Sequence, residues 1–146
     1  MAVKVQAENF DLAAELAGFG QGAGAVVTFT GLVRDTDEGT LDHMLIEHYP
    51  AMTQKALGDI ETQARTRWAL TDCLILHRFG ALKPGAQIMM VATASAHRAD
   101  AFAAAEFLMD YLKSRAPFWK KEVGTKGEVW VAAKDSDETA LDRWTK

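Results

Sequence analysis

The chain has 146 residues, with 16 Lys and Arg against 20 Asp and Glu, a formal net charge of −4 and a pI near 5.5. That length suits one domain, 1–146, burying roughly 70% of its unfolded surface, and a composition 49% hydrophobic and 25% charged excludes disordered, collagen-like and disulfide-stapled chains. One cysteine, Cys73, excludes an intrachain disulfide and a cysteine-cluster metal site, and the acidic balance argues against nucleic-acid binding driven by bulk charge. No apolar run approaches the ~20 residues that cross a bilayer. Residues 1–20 carry Lys4, Glu8, Asp11 and Glu15 and lack the apolar run of a leader, so the expectation is a cytoplasmic protein with no membrane partner.

In chain order, Val3 and Val5 alternate with polar residues as a short strand, and Asn9 is placed to cap a brief helix over 10–17. Gly20-x-Gly22-x-Gly24 has the spacing of a dinucleotide loop but precedes a strand instead of linking strand to helix, so it reads as a connector. GAVVTFTGLVR (24–34) is rich in β-branched residues and reads as a strand, followed by a polar loop DTDEG and a second alternating strand over 41–49. Pro50 opens a helix to about Trp68, with Met52, Ala56, Ile60, Ala64 and Trp68 expected on its apolar face. Residues 72–80 and 86–95 are apolar strands around a Lys83-Pro84-Gly85 turn, the second of them central. A helix over 98–115 carries a polar stripe of Glu106, Asp110 and Lys113, and Pro117 stops it. Residues 118–123 and 128–132 form a hairpin, and a polar tail from about 134 holds one anchor, Trp144. Interleaved strands and helices give an α/β (α+β) class with a mixed or antiparallel sheet.

The charge is sorted. Between 113 and 126 lie Lys113, Arg115, Lys120, Lys121 and Lys126 against the single acid Glu122. Pro117 bends the chain so that Lys113 and Lys120 can converge, and neighbouring positive charges disfavour protonation of each amine, leaving one able to act as nucleophile or base. The same residues also suit a solvated face at a helix C-terminus, where cations meet the dipole favourably. Ser95-Ala96-His97-Arg98 ends a strand and begins a helix, a setting for an anion or for a helix-start histidine. Arg34 ends its strand before the acidic loop, as an anion ligand or an edge charge paired with Asp35 or Asp37. His43, His48 and His77 have no metal-ligand spacing, so neither a metal nor another cofactor is expected, and Cys73 in CLIL reads as a small buried hydrophobe.

Taken together, GAVVTFTGLVR, IEHYPAMTQKAL, LILHRFGALKPG, SAHRADAF and MDYLKSRAPFWKKE resemble the large, catalytic subunits of molybdopterin synthase, over about Gly24 to Trp130. The resemblance implies an α/β hammerhead-type fold and a homodimer, each copy binding a small ubiquitin-like sulfur-carrier subunit to make a heterotetramer. The carrier's C-terminal Gly-Gly thiocarboxylate would enter a basic pocket and pass sulfur to cyclic pyranopterin monophosphate, forming the molybdopterin dithiolene. Carried over motif by motif, Lys113 and Lys120 would be catalytic, Arg34, His97 and Arg98 would bind the phosphate-bearing pterin, and Lys121 and Glu122 would line the same pocket. Leu32 and Lys134 depart from the pattern, standing where relatives carry a basic residue and an arginine. A different function stays open on the residues alone: a non-catalytic basic pocket for a phosphorylated metabolite or a partner's C-terminal tail.

Overall fold

The computed structural model describes residues 2–131 and 135–145. The strands form two four-stranded sheets. The first has the order β1 (Ala2–Gln6), β4 (Leu70–Arg78), β6 (Gln87–Ser95), β2 (Ala25–Leu32). The second has the order β5 (Gly80–Leu82), β3 (Leu41–His48), β7 (Phe118–Gly124), β8 (Gly127–Trp130). All pairings are antiparallel except β1 with β4. The class is therefore α+β as expected, with two sheets in place of one. Local pattern marks every strand but the three-residue β5, and outside the β7–β8 hairpin it marks no strand's partner: β3 leaves the sheet of its predecessor β2 to pair with β7, some 70 residues on.

Strands β4 and β6 form the centre. Cys73, Ile75, Leu76, Met90, Val91 and Ala92 are inaccessible to solvent, and their near-continuous apolar sequence reflects cover on both faces. Helix α3 (Arg98–Ser114) lays Ala101, Ala104, Ala105, Phe107 and Leu108 against this sheet. Its small residues allow close approach of helix to strand, and Thr93 donates to the Ala101 carbonyl at 2.7 Å.

Helix α2 (Pro50–Arg67) begins at Pro50, but its buried stripe is Thr53, Leu57, Ile60 and Ala64, whereas Met52 is 59% exposed. A strict four-residue repeat drifts about 40° per step around a 3.6-residue helix, so it cannot hold one face over the length of α2. Thr53 can be buried because its hydroxyl donates to the Tyr49 carbonyl at 2.9 Å, which satisfies its own polar proton, while the start of α2 has no side-chain cap. The first helix is also shorter than expected: α1 spans Leu12–Glu15 and is capped by Asp11, whose carboxylate accepts from Ala14 N–H. Asn9 instead accepts from the Gln87 amide, tying the segment to β6. Gly18, Gly20 and Gly22 then take positive φ in the connector, which only glycine does without strain.

The C-terminal segment is helical, contrary to the expected polar tail. Helix α4 (Asp135–Leu141) leads to a 3₁₀ turn (Asp142–Trp144). Trp144 meets Trp68 and Phe107 edge-on at 5.5 and 5.4 Å and donates its indole N–H to Asp110 at 2.6 Å. Arg143 reaches Glu106 at 2.7 Å and Asp110 at 3.1 Å. The acids of the polar stripe on α3 are thus the line on which this segment docks. Ala132, the expected end of the hairpin, and Lys134 lie outside the described residues. No described helix is long and apolar enough to cross a membrane.

Candidate active site

The site forms where α3 ends. Lys113 stands on its last turn, Arg115 closes it through a backbone bond to the Tyr111 carbonyl, and β7 begins one residue past Pro117. Side chains alternate along a strand, so Phe118 and Lys120 share one face of β7. Phe118 stacks on the ring of His77 from β4, with centroids 3.7 Å apart and planes 16° from parallel. That stack joins the two sheets and carries Lys120 inward beside Lys113. Both lysines line a cavity of about 230 Å³ with His77, Met89, Met109 and the backbone stretch Phe29–Leu32 of β2.

Burial lowers the pKa of Lys120 below the usual lysine range, and the positive charge of Lys113 pushes in the same direction, with Asp137 of α4 opposing both. An amine so placed gives up its proton more readily than one in water, the requirement for proton transfer near neutrality. His77 is 4% exposed, and burial drives its pKa down to about 3, with Lys120 and His48 adding to the effect. Its imidazole is therefore neutral under ordinary conditions. Sequence reasoning set His77 aside because LILHR reads as a core strand, and no local signal reveals that the strand's last turn inward opens onto a cavity.

The remaining candidate residues lie elsewhere in one chain. The Arg34 side chain is 90% exposed, 3.9 Å from Asp37, as an edge charge would be. His97 and Arg98 are exposed at the start of α3, and 15 residues of helix separate Arg98 from Lys113, about 22 Å. Lys121 points to the opposite face of β7 from Lys120, 3.3 Å from Glu128 and over the Trp130 ring at 4.9 Å. Glu122 lies two residues nearer the loop of residues 35–40 and lines a second hollow of about 170 Å³ with Thr36, Glu38 and Lys126. Within one chain Lys121 and Glu122 thus do not line the cavity of Lys113 and Lys120, Lys121 by strand alternation and Glu122 by distance along β7.

Cys73 is fully buried, and burial pushes its thiol up to about 12, which leaves it without thiolate character. His48 bonds Thr53 at 3.1 Å and packs against Phe79, a structural setting. Among the described residues, no group of three or more His, Cys, Asp or Glu could hold a metal ion.

The MoaE protein family matches residues 5–115. A molybdopterin synthase catalytic subunit from Cereibacter sphaeroides is 63% identical, with 99% of this chain and 100% of that protein covered. Among solved structures, the molybdopterin biosynthesis MoaE protein from Burkholderia ambifaria is 48% identical with a TM-score of 0.82, covering 99% of this chain and 98% of that one. The molybdopterin synthase from Staphylococcus aureus superposes with a TM-score of 0.81 at 30% identity, covering 88% and 96%.

Proposed function

The chain belongs to the MoaE protein family and works as a molybdopterin synthase catalytic subunit, a sulfurtransferase, and from that premise we propose that the Lys113–Lys120 cavity is where sulfur passes from a carrier protein to a pterin. The sulfur arrives on the C-terminal thiocarboxylate of a small ubiquitin-like subunit, because the chain's own thiol, Cys73, is buried and protonated. The acceptor is cyclic pyranopterin monophosphate, which becomes the dithiolene of molybdopterin. Lys120, with its proton loosened by burial and by Lys113, moves protons as the thiolate adds; Lys113, nearer solvent, offsets the charge of the carrier tail. The observation that carries this reading is the convergence of two lysines from different elements on one cavity.

His97 and Arg98 bind the phosphate-bearing pterin only if a second copy supplies them, whereas Arg34, two residues past Leu32, joins them from the cavity end of the same chain's β2. Strand β2 is an edge strand whose Ala25 pairs with Ser95, beside His97, and whose Leu32 lies at the cavity. Val26, Phe29 and Leu32 on β2 and Phe102 on α3 are large apolar side chains left exposed. A two-fold axis near the middle of β2 covers them and sets the His97 end of one copy against the Lys120 end of the other, twice. This supports a homodimer at the centre of the heterotetramer.

The deciding experiment mixes the protein with thiocarboxylated carrier and the pterin, then weighs the pterin by mass spectrometry. The expected outcome is a gain of two sulfurs. Binding with no gain of sulfur favours the non-catalytic pocket instead.

A further inference from the structure

His77 is a buried polar group in the cavity wall that the sulfur-transfer scheme leaves unused. Its Nδ1 lies 2.7 Å from the Arg78 carbonyl oxygen. A carbonyl can only accept, so Nδ1 carries the ring proton and Nε2 is the bare acceptor. The stack on Phe118 and this bond together fix the ring in two directions. Among the described residues, no donor is bonded to Nε2. Lys113 donates, Lys120 is given to proton transfer, and the Thr30 hydroxyl can serve in either role, so His77 is the side-chain acceptor that the described residues hold fixed in the cavity. Burial keeps the imidazole neutral, and the groups that face it, Lys120 and His48, act the same way, so the acceptor survives through the physiological range.

We propose that His77 Nε2 accepts a hydrogen bond from a ring N–H or O–H of the pterin substrate, fixing the ring's orientation while the lysines hold anionic groups. The inference rests on the sulfurtransferase reading of the cavity and adds a recognition residue to it. A substrate with an anion alone satisfies only the lysines. One with an anion and a donor at the right separation satisfies the whole wall.

The test separates the two ring nitrogens. Asn reproduces the Nδ1–H donor toward Arg78 without an atom at Nε2, whereas Gln carries a polar group to the Nε2 position. The expected result is that His77→Asn weakens binding of cyclic pyranopterin monophosphate roughly tenfold, the effect of one buried hydrogen bond, and that His77→Gln recovers most of it. Affinity for the carrier subunit stays unchanged in both. Equal binding by Asn and wild type, or equal loss in Asn and Gln, overturns the proposal. In the unmutated protein, the ¹⁵N signal of Nε2 moves on adding the pterin and stays in place with inorganic phosphate; an unmoved signal with the pterin bound also overturns it. Wild-type protein that binds the pterin without adding sulfur defeats the sulfurtransferase reading while leaving the His77 result standing, and wild type that binds no pterin defeats both.

Discussion

The two ends of α3 carry basic groups in opposite circumstances. At the C-terminal end, Lys113 meets Lys120 across the bend at Pro117, a second sheet covers the junction, and burial has already changed the acidity of Lys120. At the N-terminal end, His97 and Arg98 stand in solvent. The first end has been shaped for chemistry by its own chain. The second has charge without enclosure, and exposed charges contribute little until another surface removes the water around them. One protomer therefore holds an enclosed pair of lysines and an exposed His-Arg pair some 22 Å apart along a rigid helix.

The sharpest way to break this contrast is at the enclosed end. Lys120→Ala is expected to lower sulfur transfer by roughly 10²–10⁴-fold, the range for loss of a positioned proton-transfer group, with a thermal melt close to wild type. Retention of near-normal turnover would remove the chemical distinction between the ends. Next in size is a complementation test. Arg98→Ala and Lys120→Ala are each expected to be poorly active alone, and a mixture allowed to exchange subunits should regain about a quarter of wild-type activity, since half the dimers are mixed and each rebuilds one of its two sites. No recovery would place Arg98 and Lys120 in separate sites.

The smallest effect concerns the burial of His77. Its folded pKa of about 3 lies below the unfolded value of 6.5, so on acidification the unfolded chain takes up a proton that the folded chain refuses. Stability from this group is complete above pH 6.5 and drains as the pH falls toward 3, by on the order of 2 kcal/mol at pH 5. Melting curves across pH 4–7 should be steeper in pH for wild type than for His77→Gln, which has nothing to titrate there. Matching slopes would mean the enclosed end is wetter than its geometry states.

Much of the scaffold was legible because it obeys local rules. Pro50 and Pro117 punctuated the helices, β-branched runs marked the strands, and Lys83-Pro84-Gly85 marked a turn. The pairing of Lys113 with Lys120 was legible for the same reason, being set by one helix end and one proline. What escaped was non-local. The split into two sheets depends on β3 finding β7, and the α4 segment has only Leu141 and Trp144 as apolar anchors, its docking being decided by acids on a distant helix face. His77 escaped because a strand histidine looks alike in sequence whether it faces packed side chains or a hollow. The separation of His97 and Arg98 from the lysines was present in the numbering, since a helix of known rise lies between them.

Helix α3 also sets a rule for insertions and deletions. Removing one residue inside it would turn Lys113 by about 100° relative to Arg98 and draw it ~1.5 Å closer, dislodging one basic pair or the other. The 17 residues of α3 thus act as a gauge block: the distance between its basic ends is written as a count of amino acids.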